Sequence, residues 1–313
     1  MIIHMNSTSS ADIVLRMDDL RETVGSVALG RVLTLIVVAK DEGGLRDAVA
    51  AASGAARAHP CRIVTILPAT GGDDARLDAE IRVGAEAGLS EIVILRCRGG
   101  AADNLETLVS PLLLPDTPTV VWWVQDAPAF PAGMPIGAMA QRRITTSQNS
   151  GTPAAESLRR IRDGHSPGDT DLAWTGVTFW RNHLAAMLDE PPCEQVTSAV
   201  VRGNSAHPAV VLLAAWLALR LDASVGIDHE RGQAVNGVSL FRDSGELRLD
   251  RPLGSDFGDM VRPGRAVQRV NLPMRTMESK LIEELREMTP DTAYEEVLKV
   301  YHDLPRDLRI TNP

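Results

Sequence analysis

Two near-continuous apolar runs constrain this chain more than any other feature of it. Arg31 to Ala39 (RVLTLIVVA) and Arg62 to Leu67 (RIVTIL) are dominated by β-branched and leucine side chains, with little period-two alternation. Such a strand must be covered on both faces, which is the condition of a parallel sheet with helices on either side. Between the runs, residues 42–58 are alanine-rich and helix-forming. His59-Pro60 ends that helix, because the residue before a proline is driven out of the α region. Strand, helix and strand within about forty residues make a βαβ unit with a right-handed crossover.

The same periodicity rules extend the pattern. Residues 12–27 read as an amphipathic helix with Ile13 or Val14, Met17, Leu20 or Arg21, and Val24 on one face. Leu77 to Ala85 alternates as a more exposed strand. Glu91 to Cys97 and Thr119 to Val124 are apolar strands, and 103–114 is a helix that stops at Pro115. Thr145 to Asp169 is rich in Ser, Thr, Gly and Pro, the composition of a connector. A helix over Thr170 to Asp189 follows, with Asp169 as N-cap and Asp171 in its first turn. Its buried face carries Ala173, Val177, Trp180, Leu184 and Leu188. The helix from about Ala206 to Leu221 is apolar almost all round, so it belongs at the centre of the second half. Residues 195–201, before that helix, read as a strand, and short alternating strands at 234–241, 246–250 and 266–272, after it, suggest an antiparallel meander. Two helices close the chain. The last starts at Thr289, with Pro290 at its first helical position and Val297, Leu298 and Tyr301 on one face.

These elements predict an α/β class, turning α+β in the second half. An N-terminal α/β domain over 1–150 has helices packed on a sheet. A connector covers 151–168, and helices with short antiparallel strands form a domain over 169–313. A chain of 313 residues is long enough for two domains.

Composition narrows function mainly by exclusion. Hydrophobic residues at 44% suffice for a core. A net charge of −9 without a basic stripe argues against nucleic acid and against an anionic membrane as partners. The densest basic stretch, Arg159-Arg160-Ile161-Arg162, has no interleaved aromatic residues. The first ten residues lack the charge and apolar pattern of a signal peptide, and the longest apolar run, Ala209 to Leu219, is too short to span a bilayer. Cys61, Cys97 and Cys193 are odd in number and without CxxC spacing, which suits a reducing, cytoplasmic setting. Cys61 and Cys97 read as buried and Cys193 as exposed.

No phosphate-cradling G-x-x-x-x-G-K-[ST], dinucleotide G-x-G-x-x-G, G-x-S-x-G or H-E-x-x-H occurs. The seven histidines have no ligand spacing. The polar run His165 to Asp171 reads as a loop feeding a capped helix. No catalytic residue, cofactor or metal is therefore expected. Trp122 and Trp123 are adjacent on a strand and point to opposite faces, so both are buried only if both faces are covered. Trp180 lies on the apolar face of its helix, whereas Trp174 lies off it.

Several segments, taken in order, resemble the bacterial glucose-6-phosphate dehydrogenase assembly protein family, OpcA. They are Asp19-Leu20-Arg21-Glu22 leading into Gly30-Arg31-Val32-Leu33-Thr34-Leu35, His59-Pro60 before Arg62-Ile63-Val64, and Leu77 to Ala85. Downstream come Leu114-Pro115-Asp116-Thr117-Pro118 before Trp122-Trp123, Arg142-Arg143-Ile144, Gly168-Asp169-Thr170-Asp171-Leu172-Ala173-Trp174, and Phe179-Trp180-Arg181. The resemblance runs from about residue 18 to 220 and is loosest over 147–165 and 223–275. It implies a non-catalytic protein that associates with glucose-6-phosphate dehydrogenase and promotes its assembly or active state. Asp169, Asp171 and Trp174, with Trp122, Trp123, Arg142 and Arg143, are the candidate contacts, chosen for polar and aromatic character near sheet ends. The alternative is a sugar-phosphate-binding protein or enzyme whose cleft lies at the strand ends, near Pro68 to Gly72 and Gln125 to Pro128.

Overall fold

The computed structural model describes residues 1–24, 31–69, 74–84, 90–191, 193–232 and 234–300. In chain order the first elements are β1 (Ile2–Met5), α1 (Ser10–Val24), β2 (Leu33–Val38), α2 (Glu42–Ala55), β3 (Cys61–Ala69), β4 (Arg76–Arg82) and β5 (Glu91–Arg98). Then come α3 (Leu105–Val109), β6 (Thr119–Trp123), α4 (Pro135–Ala138), β7 (Arg142–Thr145), α5 (Ala154–Asp163), β8 (Asp169–Asp171), α6 (Leu172–Thr175) and α7 (Thr178–Asp189). The remainder is β9 (Ser198–Gly203), α8 (Pro208–Leu221), β10 (Ser224–His229), β11 (Val235–Arg242), β12 (Gly245–Asp250), β13 (Phe257–Val261), β14 (Gln268–Asn271), α9 (Met277–Glu284) and α10 (Thr292–Val300).

These elements gather into two compact units. The first takes Met1–Ser150, Gly164–Leu172 and Thr276–Pro290. Its sheet has the order β1-β4-β5-β3-β2-β6-β7-β8. From β5 to β8 every neighbouring pair is parallel, while β4 and β1 add on antiparallel. Counted from β2, the parallel strands follow the order of a doubly wound dinucleotide-binding sheet, with a switch point between β2 and β6. The apolar runs expected at β2 and β3 are buried on both sides. Leu35, Ile63, Val120 and Trp122 pack with α2 and with Leu281 and Leu285 at α9. Ile36, Val64, Val121 and Trp123 pack with Ile13, Met17 and Leu20 of α1 and with Val109 and Ile136. Both tryptophans are therefore core, one in each layer, at about 1.5–3 kcal/mol per fully buried large side chain.

The second unit takes Gly151–Asp163, Ala173–Arg275 and the chain from Asp291. Its sheet runs β10-β9-β11-β12-β13-β14. β9 and β10 are parallel across α8, and β11 to β14 form the expected antiparallel meander. Helix α8 is buried nearly all round, with Val210, Leu212, Leu213 and Leu217 fully covered, as its composition requires. It joins a core with Ala199, Val201, Val238, Leu240, Leu247 and Leu249.

Several expectations shift. Residues 151–163 belong to the second unit as helix α5, where Ala154 and Leu158 are buried. Residues 164–172 and 276–290 belong to the first, through β8 and α9. The expected single helix from Thr170 is a strand, β8, followed by α6 and α7. The helix over 103–114 contracts to α3 and a short 3₁₀ turn over Ser110–Leu112. The last helix begins at Thr292, where the Asp291 carboxylate accepts the Tyr294 N–H at 2.9 Å. β10 and β13 were not expected, because glycine and aspartate dilute their pattern. The side chains of Arg21 and Val24, residues 25–27, Ala85 and Tyr301 lie outside what is described.

Candidate functional site

In a doubly wound sheet, ligands bind where the strand order reverses, outside the carboxyl ends of the strands. Here that crevice is bounded by the turn Ala39-Lys40-Asp41-Glu42-Gly43-Gly44 after β2 and by Val124-Gln125-Asp126 after β6. The chain fills it with its own groups. Asp41 caps α2, its Oδ1 accepting the Gly44 N–H at 2.8 Å. Gln125 donates to Asp41 Oδ2 at 3.0 Å and accepts the Lys40 N–H at 3.1 Å. Lys40 pairs with Asp126 across the opening. The Gly44 N–H and then Gln125 hold the Asp41 carboxyl below its ordinary range, and Asp126 raises the Lys40 ammonium.

The Gln125 amide lies directly over Gly44: a Cβ there would fall 2.1 Å from Gln125 Oε1, so a side chain at 44 would push the end of Gln125 aside. In a dinucleotide site the first glycine-rich turn leaves the helix N-terminus open to pyrophosphate. In this chain a carboxylate already takes that N-terminus and a glutamine lies against its first turn. A phosphate would have to displace Asp41 and would meet like charge from it and Glu42. Of the two stretches expected at a cleft, Gln125 to Pro128 borders this plug, and Thr70 to Gly72 lie outside the described residues. Among the described residues, no group of three or more His, Cys, Asp or Glu is placed to hold a metal ion. Among the described residues, no helix is long and apolar enough to cross a membrane.

The seven residues expected at a partner surface are all buried. Arg143 pairs with Asp169 and donates to Ala140 O at 2.8 Å; Asp169 also accepts the Ser166 N–H at 2.8 Å. Gly168 makes the approach to β8 possible. Its φ is +93°, and a Cβ would lie 2.6 Å from Gln141 O. Arg142 pairs with Glu284 and donates to Thr289 O at 2.8 Å. Asp171 accepts from the Thr145 hydroxyl at 2.6 Å, the Ser147 N–H at 2.9 Å and the Ser147 hydroxyl at 2.8 Å. Extended pairing beside β7 thus satisfies both aspartates more fully than the first turn of a helix would. Trp122 donates to the Thr146 hydroxyl at 2.8 Å.

Trp174 is 1% exposed. Its Nε1–H donates to Asp291 Oδ2 at 2.7 Å, the Arg181 guanidinium stands 3.6 Å from its ring centroid, and Tyr294 stacks obliquely at 5.7 Å. The interruption at Gly176-Val177 between α6 and α7 changes its phase, so extrapolating the α7 face put it on the wrong side. Arg142, Arg143, Asp169 and Asp171 join β7, β8 and α9 within the first unit, while Trp174 lies in the second unit's core. None of the seven is presented to a partner in this conformation. What the sequence missed was the plug. Its readable signals were an aspartate directly after an apolar strand and a Gly-Gly pair in the first turn of the following helix.

Comparison with known proteins agrees with the resemblance. Residues 52–163 match the profile described as glucose-6-phosphate dehydrogenase subunit N-terminal domain, and residues 167–298 match the corresponding C-terminal domain. Proteins named OxPP cycle protein OpcA are similar over part of their length. That of Synechococcus elongatus is 31% identical over 180 residues, covering 52% of this chain and 40% of that protein. That of Nostoc punctiforme is 25% identical over 226 residues, covering 65% and 48%. That of Synechocystis is 24% identical over 196 residues, covering 57% and 39%. The chain thus spans less than half the length of the curated relatives it matches. Among solved structures, biliverdin reductase from Synechocystis aligns with a TM-score of 0.41 at 11% identity, over 86% of this chain and 96% of that one, a likeness too distant to carry an argument. With two adjoining profiles covering most of its length, the chain belongs to the OpcA family of glucose-6-phosphate dehydrogenase assembly proteins.

Proposed function

We propose that the chain is a non-catalytic partner of glucose-6-phosphate dehydrogenase that promotes the enzyme's assembly or active state in the oxidative pentose phosphate pathway. Family membership supports the choice of partner. The observation that carries the non-catalytic part is the plugged crevice: Asp41, Gln125, Lys40 and Asp126 occupy the place where a sheet of this order would bind a nucleotide. A sugar-phosphate enzyme at the same crevice would need convergent cations, and the one lysine there is paired with Asp126. Three unpaired thiols suit a reducing compartment, which supports the cytoplasm as the meeting place.

An activator must bind the active state of its target more tightly than the inactive one. A difference of about 1–3 kcal/mol changes apparent activity or substrate affinity roughly 5–150-fold. The test is to titrate the dehydrogenase of the same cell with this chain while following NADPH production, with size exclusion alongside. Co-elution with a saturable rise in activity is the expected result. Two folded proteins that neither co-elute nor alter the rate would overturn the proposal.

A further inference from the structure

We propose that the second unit carries an oxyanion site, suited to a phosphate or phosphomonoester group, where Arg242, Arg262 and Arg265 converge on one small cavity. The three arginines come from separate places. Arg242 ends β11, Arg262 follows β13, and Arg265 lies in the loop before β14. With Glu190 from the end of α7 they line a cavity of about 140 Å³, backed by Met187 and Leu247. Drug-sized ligands need roughly 300 Å³ or more, so this space suits a single small anionic group.

Charge points the same way. Glu190 is the carboxylate lining the cavity, and it bridges Arg262 and Arg265. Glu194 stands nearby, accepting the Ser244 N–H at 3.1 Å. Three guanidinium groups, from Arg242, Arg262 and Arg265, line this small space beside the Glu190 carboxylate, in a chain whose net charge is −9. The Arg262 side chain is only 9% exposed, and its Nε–H meets no acceptor. A buried charged donor left in that state is costly, and an oxyanion supplies what it lacks. Guanidinium forks match the geometry of phosphate oxygens, whereas ammonium groups act only as point charges. Glu190 is 41% exposed and Arg265 is 53% exposed, so they form the mouth, with Arg262 at the floor. Glu190 thus occupies part of the space as an internal counter-ion that an entering anion would displace.

That competition gives the test two opposite signs. Inorganic phosphate and glycerol 3-phosphate are titrated into the full chain by calorimetry, at fixed ionic strength set with chloride. Saturable binding of either probe at one site per chain is expected. Arg262→Gln should weaken it by about tenfold or more, the usual weight of a charge-assisted hydrogen bond. Glu190→Gln, which removes the competing carboxylate, should tighten it several-fold. Because a destabilised Arg262 variant would also bind poorly, the Glu190 variant decides: tighter binding supports the site, and unchanged or weaker binding overturns it. Absence of binding by both the parent and Glu190→Gln also overturns it. Neither readout involves the dehydrogenase, so this site and the partner reading stand or fall separately.

Discussion

Replacing Trp174 with alanine separates a structural role from a partner contact. The ring is 1% exposed, lies over the Arg181 guanidinium, meets Tyr294, and donates to Asp291, the residue whose other carboxylate oxygen caps α10. Truncating a buried tryptophan to alanine costs about 3–5 kcal/mol. Loss of the cation–π contact and of a charged acceptor's donor places this site near the top of that range, about 4–5 kcal/mol. For a unit of this size roughly 4 °C of melting temperature accompanies each kcal/mol, so the second unit should melt about 15–20 °C lower. Trp174→Phe keeps the packing but leaves Asp291 Oδ2 without its donor, at about 1–2 kcal/mol. Differential scanning calorimetry resolves the two units if they melt separately. An alanine variant that melts with the parent, and yet loses the dehydrogenase, would refute the packing argument and restore Trp174 as a surface contact.

Two further outcomes follow from the first unit. Gly44→Ala should cost about 1 kcal/mol or less, since it displaces the Gln125 amide from Asp41 and Lys40 but gains helix propensity in α2. Adding Gln125→Ala should recover part of that loss, with a coupling of about 0.5–3 kcal/mol in thermal melts; strict additivity would show that the two do not touch. Burial pushes the Cys61 thiol up to about 12 and the Cys97 thiol up to about 11, from 9.0. At pH 8 a thiol reagent should therefore modify exposed Cys193 quickly and the other two only on unfolding; a Cys193→Ser variant that still reacts quickly contradicts this. The raised pKa values favour the folded, protonated form. Their contribution is complete below about pH 9 and fades as pH rises through 11 to 12.

The parallel core was readable because its strands are apolar throughout, a pattern that does not depend on knowing the neighbours. β2, β3, β5 and β6 sit within a residue or two of their expected places, and the opposed burial of Trp122 and Trp123 follows from strand geometry alone. Residues whose conformation is decided by distant partners were not readable. Asp169 and Asp171 cap helices as often as they do anything else, until Arg143, Thr145 and Ser147 are placed beside them. Arg142 looked available for a partner because Glu284 lies 142 positions away in sequence. The plugged crevice was hidden similarly, since Asp41 and Gln125 are 84 positions apart. The oxyanion cavity draws on Glu190, Arg242, Arg262 and Arg265, four residues with no common motif.

The interleaving of the two units has a consequence for how the polypeptide matures. β8, the strand that completes the first sheet, is made only after α5 has been contributed to the second unit. Helix α9, which covers Leu45, Ala48 and Ala52 of α2, emerges after most of that unit has been synthesised. During vectorial synthesis the first 150 residues therefore leave the ribosome with the edge of β7 unpaired and one face of α2 bare. Such an intermediate is prone to wrong pairings. It must wait for about 140 further residues, on the order of ten seconds at ordinary elongation rates, before its core can close.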